Sequence, residues 1–372
     1  MTMPTTDRRS FLKSGAALPL AGLLRVSRGE GEVQGAPPQS LPPLKESAGG
    51  AGLLYGAALF PQDLENAALL RLYAQQCSLV VGTAYMDRVE AARDRFDFSA
   101  CDAVMRWGTA NGMKLRGHPL VYGKATPEWV HSLGKSEAGQ ALEGYIRNVA
   151  GRYRGQMFSW DVVNEAIDPA AANGYRDSPW LRLIGPEYIE RSFYLAREAD
   201  STALLSYNDF GLEPDGVEHE RKREAVYGLL RTLTKRNAPI GALGIQSHIG
   251  ARFQGGQIRT FLKKVSDLGL KIVISELDVR DNPLPAAVPQ RDDAVAHGYE
   301  NYLDTVLPNP ATVAVITWGL YDGDTWLDKS QPRQDGLPQR SLPFDNRLQP
   351  KPAAYAMERS FSRRQQRRPG AG

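Results

Sequence analysis

Phe158-Ser159-Trp160-Asp161-Val162-Val163-Asn164-Glu165 is the stretch on which the fold is decided. It is apolar at most positions without strict alternation, which fits a strand of a parallel sheet buried on both faces. It also closes on two polar residues. Similar short runs occupy 54–60, 78–84, 113–118, 203–209, 242–248, 271–276 and 312–318. Longer stretches between them carry helical spacing, as in Leu64, Ala67, Ala68 and Leu72, or Ala225, Leu229, Leu230 and Leu233. Helix starts are marked by Ser99 before Ala100-Cys101-Asp102 and by Pro186-Glu187 in a first turn. Eight strand–helix units without internal repeat or linker predict an α/β chain folded as a single (β/α)8 TIM barrel. A doubly wound open sheet is the alternative. It would open on a Gly-rich phosphate turn, and Tyr55-Gly56-Ala57-Ala58 is not one.

A chain of 372 residues with 42% hydrophobic content buries a large core. An α/β barrel uses about 250 residues or more as one domain, so the length does not require two. The formal net charge is +3, with much of the excess at the ends. Arg359, Arg363, Arg364, Arg367 and Arg368 precede Pro-Gly-Ala-Gly without apolar periodicity. They read as the start of a solvated, disordered basic tail over 361–372 rather than a nucleic-acid arm. The near-neutral body suits an uncharged substrate. Cys77 and Cys101 are the two cysteines, which excludes a disulfide framework and a cysteine-rich metal site. They could pair, but two buried thiols are the favoured reading. No run reaches the ~18 apolar residues of a membrane-spanning helix.

Asp7-Arg8-Arg9-Ser10-Phe11-Leu12-Lys13 resembles the twin-arginine export motif, and an apolar stretch (14–24) and a Pro-rich segment (29–43) follow. An ordinary amphipathic helix is the alternative. The resemblance implies a signal peptide, with a linker, over 1–45 and export in folded form by the twin-arginine translocase to the periplasm or beyond, which leaves 46–360 for the barrel. No clear Ala-x-Ala site marks where the mature chain begins.

Polar or aromatic residues gather at the C-terminal ends of the predicted strands: His118, Asn164, Glu165, Asn208, Asp209, Gln246, His248, Glu276, Asp278 and Trp318. That rim is where barrel active sites lie. Unpaired buried polar groups are costly, so their concentration at six strand ends argues for a site. Two carboxylates stand out, Glu165 and the Glu276 of Lys271-Ile272-Val273-Ile274-Ser275-Glu276-Leu277-Asp278-Val279. Cleaving a sugar acetal needs one carboxyl group to protonate the leaving oxygen and another to attack or steady the oxocarbenium-like centre.

Trp160-Asp161-Val162-Val163-Asn164-Glu165 and Ile274-Ser275-Glu276-Leu277-Asp278 resemble the two catalytic signatures of glycoside hydrolase family 10, whose best-known members are endo-1,4-β-xylanases. Arg116-Gly117-His118, Gly244-Ile245-Gln246-Ser247-His248, Trp318-Gly319-Leu320-Tyr321-Asp322 and Gln349-Pro350-Lys351-Pro352 extend the similarity over roughly residues 50 to 360. The resemblance implies a retaining endo-1,4-β-xylanase-like enzyme acting on xylan or xylo-oligosaccharides, with Glu165 as acid/base and Glu276 as nucleophile. Retention predicts carboxyl groups about 5–5.5 Å apart, against about 6.5–9.5 Å for inversion. It further implies that Asn164 binds the 2-hydroxyl of the sugar being cleaved, and that His248 and Asp278 hold the nucleophile. His118 and Gln246 would line the cleavage subsite, with Trp318 and Trp326 as an aromatic roof. Tyr207-Asn208-Asp209-Phe210 resembles a segment that orients the acid/base. No cofactor or metal is called for, and the five histidines show no His-x-x-x-His spacing.

Two segments depart from the family pattern. Thr83-Ala84-Tyr85-Met86-Asp87-Arg88 stands where Glu-Asn-x-x-Lys is usual, and Tyr122-Gly123-Lys124-Ala125 where an aromatic precedes His-Ser-Gln. Both fall on the non-reducing-side subsites. They keep two other readings open: a glycosidase for another β-glycoside, such as an aryl conjugate, and a non-catalytic carbohydrate-binding barrel.

Overall fold

The structure, a computed structural model, describes residues 40–367, so the twin-arginine segment lies outside the described residues. Eight strands form the barrel: β1 (Leu54–Ala58), β2 (Leu79–Thr83), β3 (Lys114–His118), β4 (Met157–Asn164), β5 (Leu204–Asp209), β6 (Ala242–Ile245), β7 (Lys271–Arg280) and β8 (Thr312–Thr317). They pair in chain order and in parallel from β1 to β7, and β8 pairs with both β7 and β1 to close the cylinder. Closure leaves no open sheet edge, which rules out the doubly wound alternative. Helices such as Lys135–Arg152, Glu187–Ala199, Val217–Lys235, Val288–Val306 and Pro352–Gln366 follow strands or close the chain.

Two apolar layers follow from strand alternation. Ala58, Leu79, Val81, Ala242, Val273, Ala314 and Ile316 form one buried cluster with Trp318. A much larger cluster contains the opposite faces of the strands, including Leu115, Trp160, Leu205, Ile272 and Ile274, with helix residues such as Ile146, Phe193 and Leu230. Beside β3–β5, the inner face is polar. Arg116 reaches Ser159, Asp161 and Ser206, all buried, so its guanidinium is paired rather than stranded.

The alternation slips at two points that matter for the rim. The register of β7 against β8 shifts between the pairs of Val315 and Thr317. Ile272, Ile274, Leu277 and Val279 all pack in the larger cluster. Ser275 and Glu276 are therefore consecutive residues on the inner side, and Asp278 follows on the same side. The register of β4 against β5 shifts between Asp161 and Val163. Val162 and Val163 both pack outward, which returns Asn164 to the inside. A bulge re-aims side chains in this way at barrel rims and active sites.

Several local expectations change. β6 ends at Ile245, and His248–Gly250 forms a separate short strand on the extension of β7. Val121–Tyr122 adds another beside β4. Ser99 is the first residue of its helix rather than the cap, a position taken by Phe98. The folded unit starts before residue 46, since Leu44 of helix Leu44–Gly50 is buried and its N–H donates to Gln76 Oε1 at 3.0 Å. Residues 361–366, expected in a disordered basic tail, are helical, and 368–372 lie outside the described residues. Helix Pro352–Gln366 buries Phe361, Arg363 pairs with Glu300 and Asp304, and Arg364 donates to the carbonyls of Leu307 and Thr312. Charge alone hid the apolar face that Phe361 continues. Both cysteines are free buried thiols, and burial raises the pKa of Cys101 to about 11. Among the described residues no helix is long and apolar enough to cross a membrane.

Gly117, on the outward face of β3, gives up its side-chain space to the Trp160 indole of β4, into which a Cβ would run. Gly117→Ala should therefore cost about 1–3 kcal/mol through overpacking. Urea unfolding would show a lower midpoint with little change in slope; an unchanged midpoint would contradict this packing.

Candidate functional site

The C-terminal mouth of the barrel holds a cleft of about 570 Å³, lined by His118, Tyr122, Asn164, Glu165, Gln246, His248, Glu276, Trp318 and Trp326 among others. Asn208 and Asp278 lie beneath them, fully buried. All eleven site residues expected from the sequence thus converge on one place.

Glu276 is held from two sides. Asn208 Nδ2 donates to its Oε1 at 2.7 Å, and His248 Nε2 lies 3.3 Å from its Oε2. The amide of Asn208 is itself fixed, because Ser275 Oγ donates to Asn208 Oδ1 at 2.6 Å. Gly244 on β6 leaves room for that amide, since a Cβ there would strike Asn208 Oδ1. The His248 ring bridges to Asp278 Oδ2 at 2.9 Å, an oxygen that also accepts from Trp326 Nε1 at 2.7 Å. Burial alone would favour neutral His248, but Asp278 and Glu276 outweigh it and push the imidazole up to about 10. His118 is similar: burial lowers its pKa, yet Glu276 and Asp161 raise it above the ordinary value. Its Nδ1 sits 2.9 Å from Asp161 Oδ2 and 3.8 Å from Glu276 Oε1. Glu276 therefore faces two imidazoles and an amide donor.

Glu165 is surrounded differently. It follows the last residue of β4 with φ of 57°, a left-handed conformation that is uncommon for a side chain of this size and that clusters at functional sites. Its N–H is anchored on Asn208 O at 2.9 Å. Oε1 accepts from Tyr122 OH and from Gln246 Nε2, each at 3.1 Å. Oε2 accepts no hydrogen bond and lies 3.5 Å from the Lys124 ammonium. Asn164 Oδ1 accepts from Asn208 Nδ2 at 2.9 Å and from Gln246 Nε2 at 3.3 Å, so amides link the two carboxylates.

Trp318 packs edge-on against His118 at 5.1 Å, and Trp326 lies over His248 at 4.8 Å between ring centroids. The loop between these tryptophans is tied down by Lys351, whose Nζ contacts both oxygens of buried Asp322. Sequence reasoning missed Tyr85, Lys124, Phe210, Glu213, His219, Arg280 and Gln331, which also line the cleft. Tyr85 and Lys124 stand inside the two segments that depart from the family pattern, which was the available signal. It also missed the role of Arg116 beneath Asp161, although a charge inside an apolar run was visible.

A sequence profile described as Glycosyl hydrolase family 10 matches residues 43–360. Endo-1,4-beta-xylanase B of Thermotoga neapolitana is 33% identical over 276 residues, spanning 73% of this chain and 76% of that protein. Endo-1,4-beta-xylanase A of the same organism is 35% identical over 283 residues, and there the match spans 72% of this chain but 26% of that longer protein. The native xylanase 10B structure from Thermotoga maritima superposes with a TM-score of 0.80 at 30% identity, covering 87% of this chain and 99% of that one. Xylanase 10B from Thermotoga petrophila in complex with xylobiose gives 0.79 at 29%, covering 87% and 98%. With its closed eight-stranded barrel, its paired rim carboxylates and a profile match across most of its length, the chain belongs to glycosyl hydrolase family 10.

Proposed function

We propose that this family 10 hydrolase cleaves β-1,4-xylosidic bonds in xylan or xylo-oligosaccharides by double displacement, in the manner of an endo-1,4-β-xylanase. The observation that carries the assignment of roles is the contrast between the two carboxylates. Glu276 has one oxygen held by Asn208 and the other against His248, as suits a fixed nucleophile. Glu165 leaves Oε2 without a hydrogen bond, available to a leaving oxygen, with the Lys124 ammonium 3.5 Å away to steady the carboxylate that proton transfer leaves behind.

In the first step Glu276 attacks the anomeric carbon, the glycosidic C–O bond breaks, and Glu165 gives its proton to the departing oxygen. In the second, Glu165, now a carboxylate, takes a proton from water as that water attacks the same carbon and releases Glu276. His248, Asp278 and Trp326 keep the attacking carboxylate in place. Asn164 is positioned for the 2-hydroxyl, a contact that strengthens in the transition state. His118 and Gln246 line the cleavage subsite, while Trp318 and Trp326 offer apolar faces to the sugar. Asn208 orients both halves of the pair.

The twin-arginine-like segment Asp7-Arg8-Arg9-Ser10-Phe11-Leu12-Lys13 supports export to the periplasm or beyond by the twin-arginine translocase, ahead of a folded unit that begins before residue 46 and includes the helix Pro352–Gln366.

Glu165→Ala should lower kcat/KM on xylo-oligosaccharides by about 100- to 10,000-fold, the usual worth of a positioned general acid. A dinitrophenyl β-xyloside, whose leaving group needs no proton, should lose far less. Glu276→Ala should abolish turnover of both; equal losses in the two variants on both substrates would refute the division of roles. The pH dependence follows from His248, raised from 6.5 to about 10 in the folded state. Its charge stabilises the fold fully below its unfolded pKa of about 6.5, and that contribution fades as pH rises through about 10. Urea unfolding from about pH 6 to about pH 10 should show the wild type losing stability relative to His248→Gln, whereas parallel profiles would contradict a charged His248.

A further inference from the structure

Two side chains that touch the catalytic pair come from one short connection. β6 ends at Ile245 and the next short strand begins at His248, so Gln246 and Ser247 are all that lies between them. Gln246 Nε2 donates to Glu165 Oε1 at 3.1 Å, and His248 Nε2 lies 3.3 Å from Glu276 Oε2. Ser247, which joins the two, is fully buried and has φ of 66°. That left-handed conformation is uncommon for a residue with a Cβ and persists only where its surroundings hold it.

Here every polar atom of Ser247 is held. Its Oγ donates to Ile245 O at 3.0 Å, which leaves the Tyr302 hydroxyl to donate to that Oγ at 2.6 Å. Its carbonyl oxygen accepts from Asp278 N–H at 3.4 Å. Its N–H donates to Glu213 Oε1 at 2.7 Å. The last contact fixes the plane of the Gln246–Ser247 peptide, and with it φ of Ser247. Turning that plane would move Gln246 relative to His248.

Glu213 is a third acid in the cleft, and neither step of double displacement uses it. It stands in the loop after β5, buried, and lines the same cleft as the catalytic pair. Burial raises its pKa above the ordinary carboxylate value, while backbone N–H groups, that of Ser247 among them, and the His248 charge oppose the rise. A carboxyl group is costly to bury, so its contact with one strained backbone N–H calls for a reason.

Resting on the hydrolase reading above, we infer that Glu213 is a positioning residue for both catalytic carboxylates: by accepting from Ser247 N–H it locks the left-handed turn from which Gln246 reaches Glu165 and His248 reaches Glu276. A misplacement of about 1 Å at a reacting group costs about 100-fold in rate. One bond at the pivot therefore serves both halves of the reaction.

The test measures kcat and KM of the full chain on a xylo-oligosaccharide and on a dinitrophenyl β-xyloside. Glu213→Ala should lower kcat by about 10- to 100-fold on both, as a buried N–H left unpaired would, with KM within about 3-fold of the wild type. Circular dichroism and Tm should show the fold retained. Glu213→Gln, whose amide oxygen still accepts from Ser247, should recover kcat to within about 3-fold of the wild type. A merely structural role would neither split kcat from KM nor respond to the restored acceptor. A folded Glu213→Ala with kcat within about 3-fold of the wild type overturns the inference and leaves the hydrolase reading standing. So does a loss confined to KM, a loss on one substrate alone, or a Glu213→Gln as impaired as Glu213→Ala. Should Glu213→Ala not fold, Glu213→Asp, one methylene short of Ser247, is held to the same thresholds. If the wild type turns over neither substrate, the reading under Proposed function falls, and this inference with it.

Discussion

Holding a carboxylate ready for attack inside a protein requires that its charge be met from fixed directions, and the bond from Asn208 to Glu276 is the contact on which the site is built. In a low-dielectric mouth an unpaired carboxylate would be costly. Asn208 sits on β5, accepts from Ser275 on β7, and donates to Asn164 on β4 as well as to Glu276. One amide thereby ties three strands into a single geometry. His248, charged because Asp278 and Glu276 outweigh its burial, supplies the opposite clamp. Beneath them the buried Arg116–Asp161 pair orients His118, so the polar interior is a connected network rather than isolated groups.

The two β-bulges turn this network toward the cleft. A regular alternation along β7 would have placed Ser275 and Glu276 on opposite faces. The register shift against β8 puts both inside: one holds Asn208 and the other receives it. At the end of β4, the shift between Asp161 and Val163, followed by the left-handed Glu165, aims a second carboxyl across the same mouth. Strain at that residue is tolerated because its N–H, Tyr122 and Gln246 all hold it.

Much of this was legible in the sequence. The eight apolar runs and their polar ends marked the strands and the rim, because buried parallel strands and costly buried polar groups leave a composition signal. The bulges were not legible, since Val162-Val163 and Ser275-Glu276 read as ordinary strand without knowledge of their neighbours. Nor were the partners of Arg363 and Arg364, because pairing with Glu300, Asp304 and backbone carbonyls is set by tertiary packing. Tyr122 was anticipated at the site. Tyr85, whose ring meets that of Tyr122 at the cleft, showed only as a departure from an expected pattern.

The proposed covalent capture of the sugar uses Glu276, fixed by Asn208 and His248, as the nucleophile. Its most direct test is mass spectrometry of the enzyme quenched with a slow-turnover fluoro-sugar xyloside, followed by peptide mapping. A glycosyl adduct on the peptide carrying Glu276, discharged on return to water, is the predicted result. An adduct on Glu165, or full turnover with no covalent species under conditions that trap one, would contradict it.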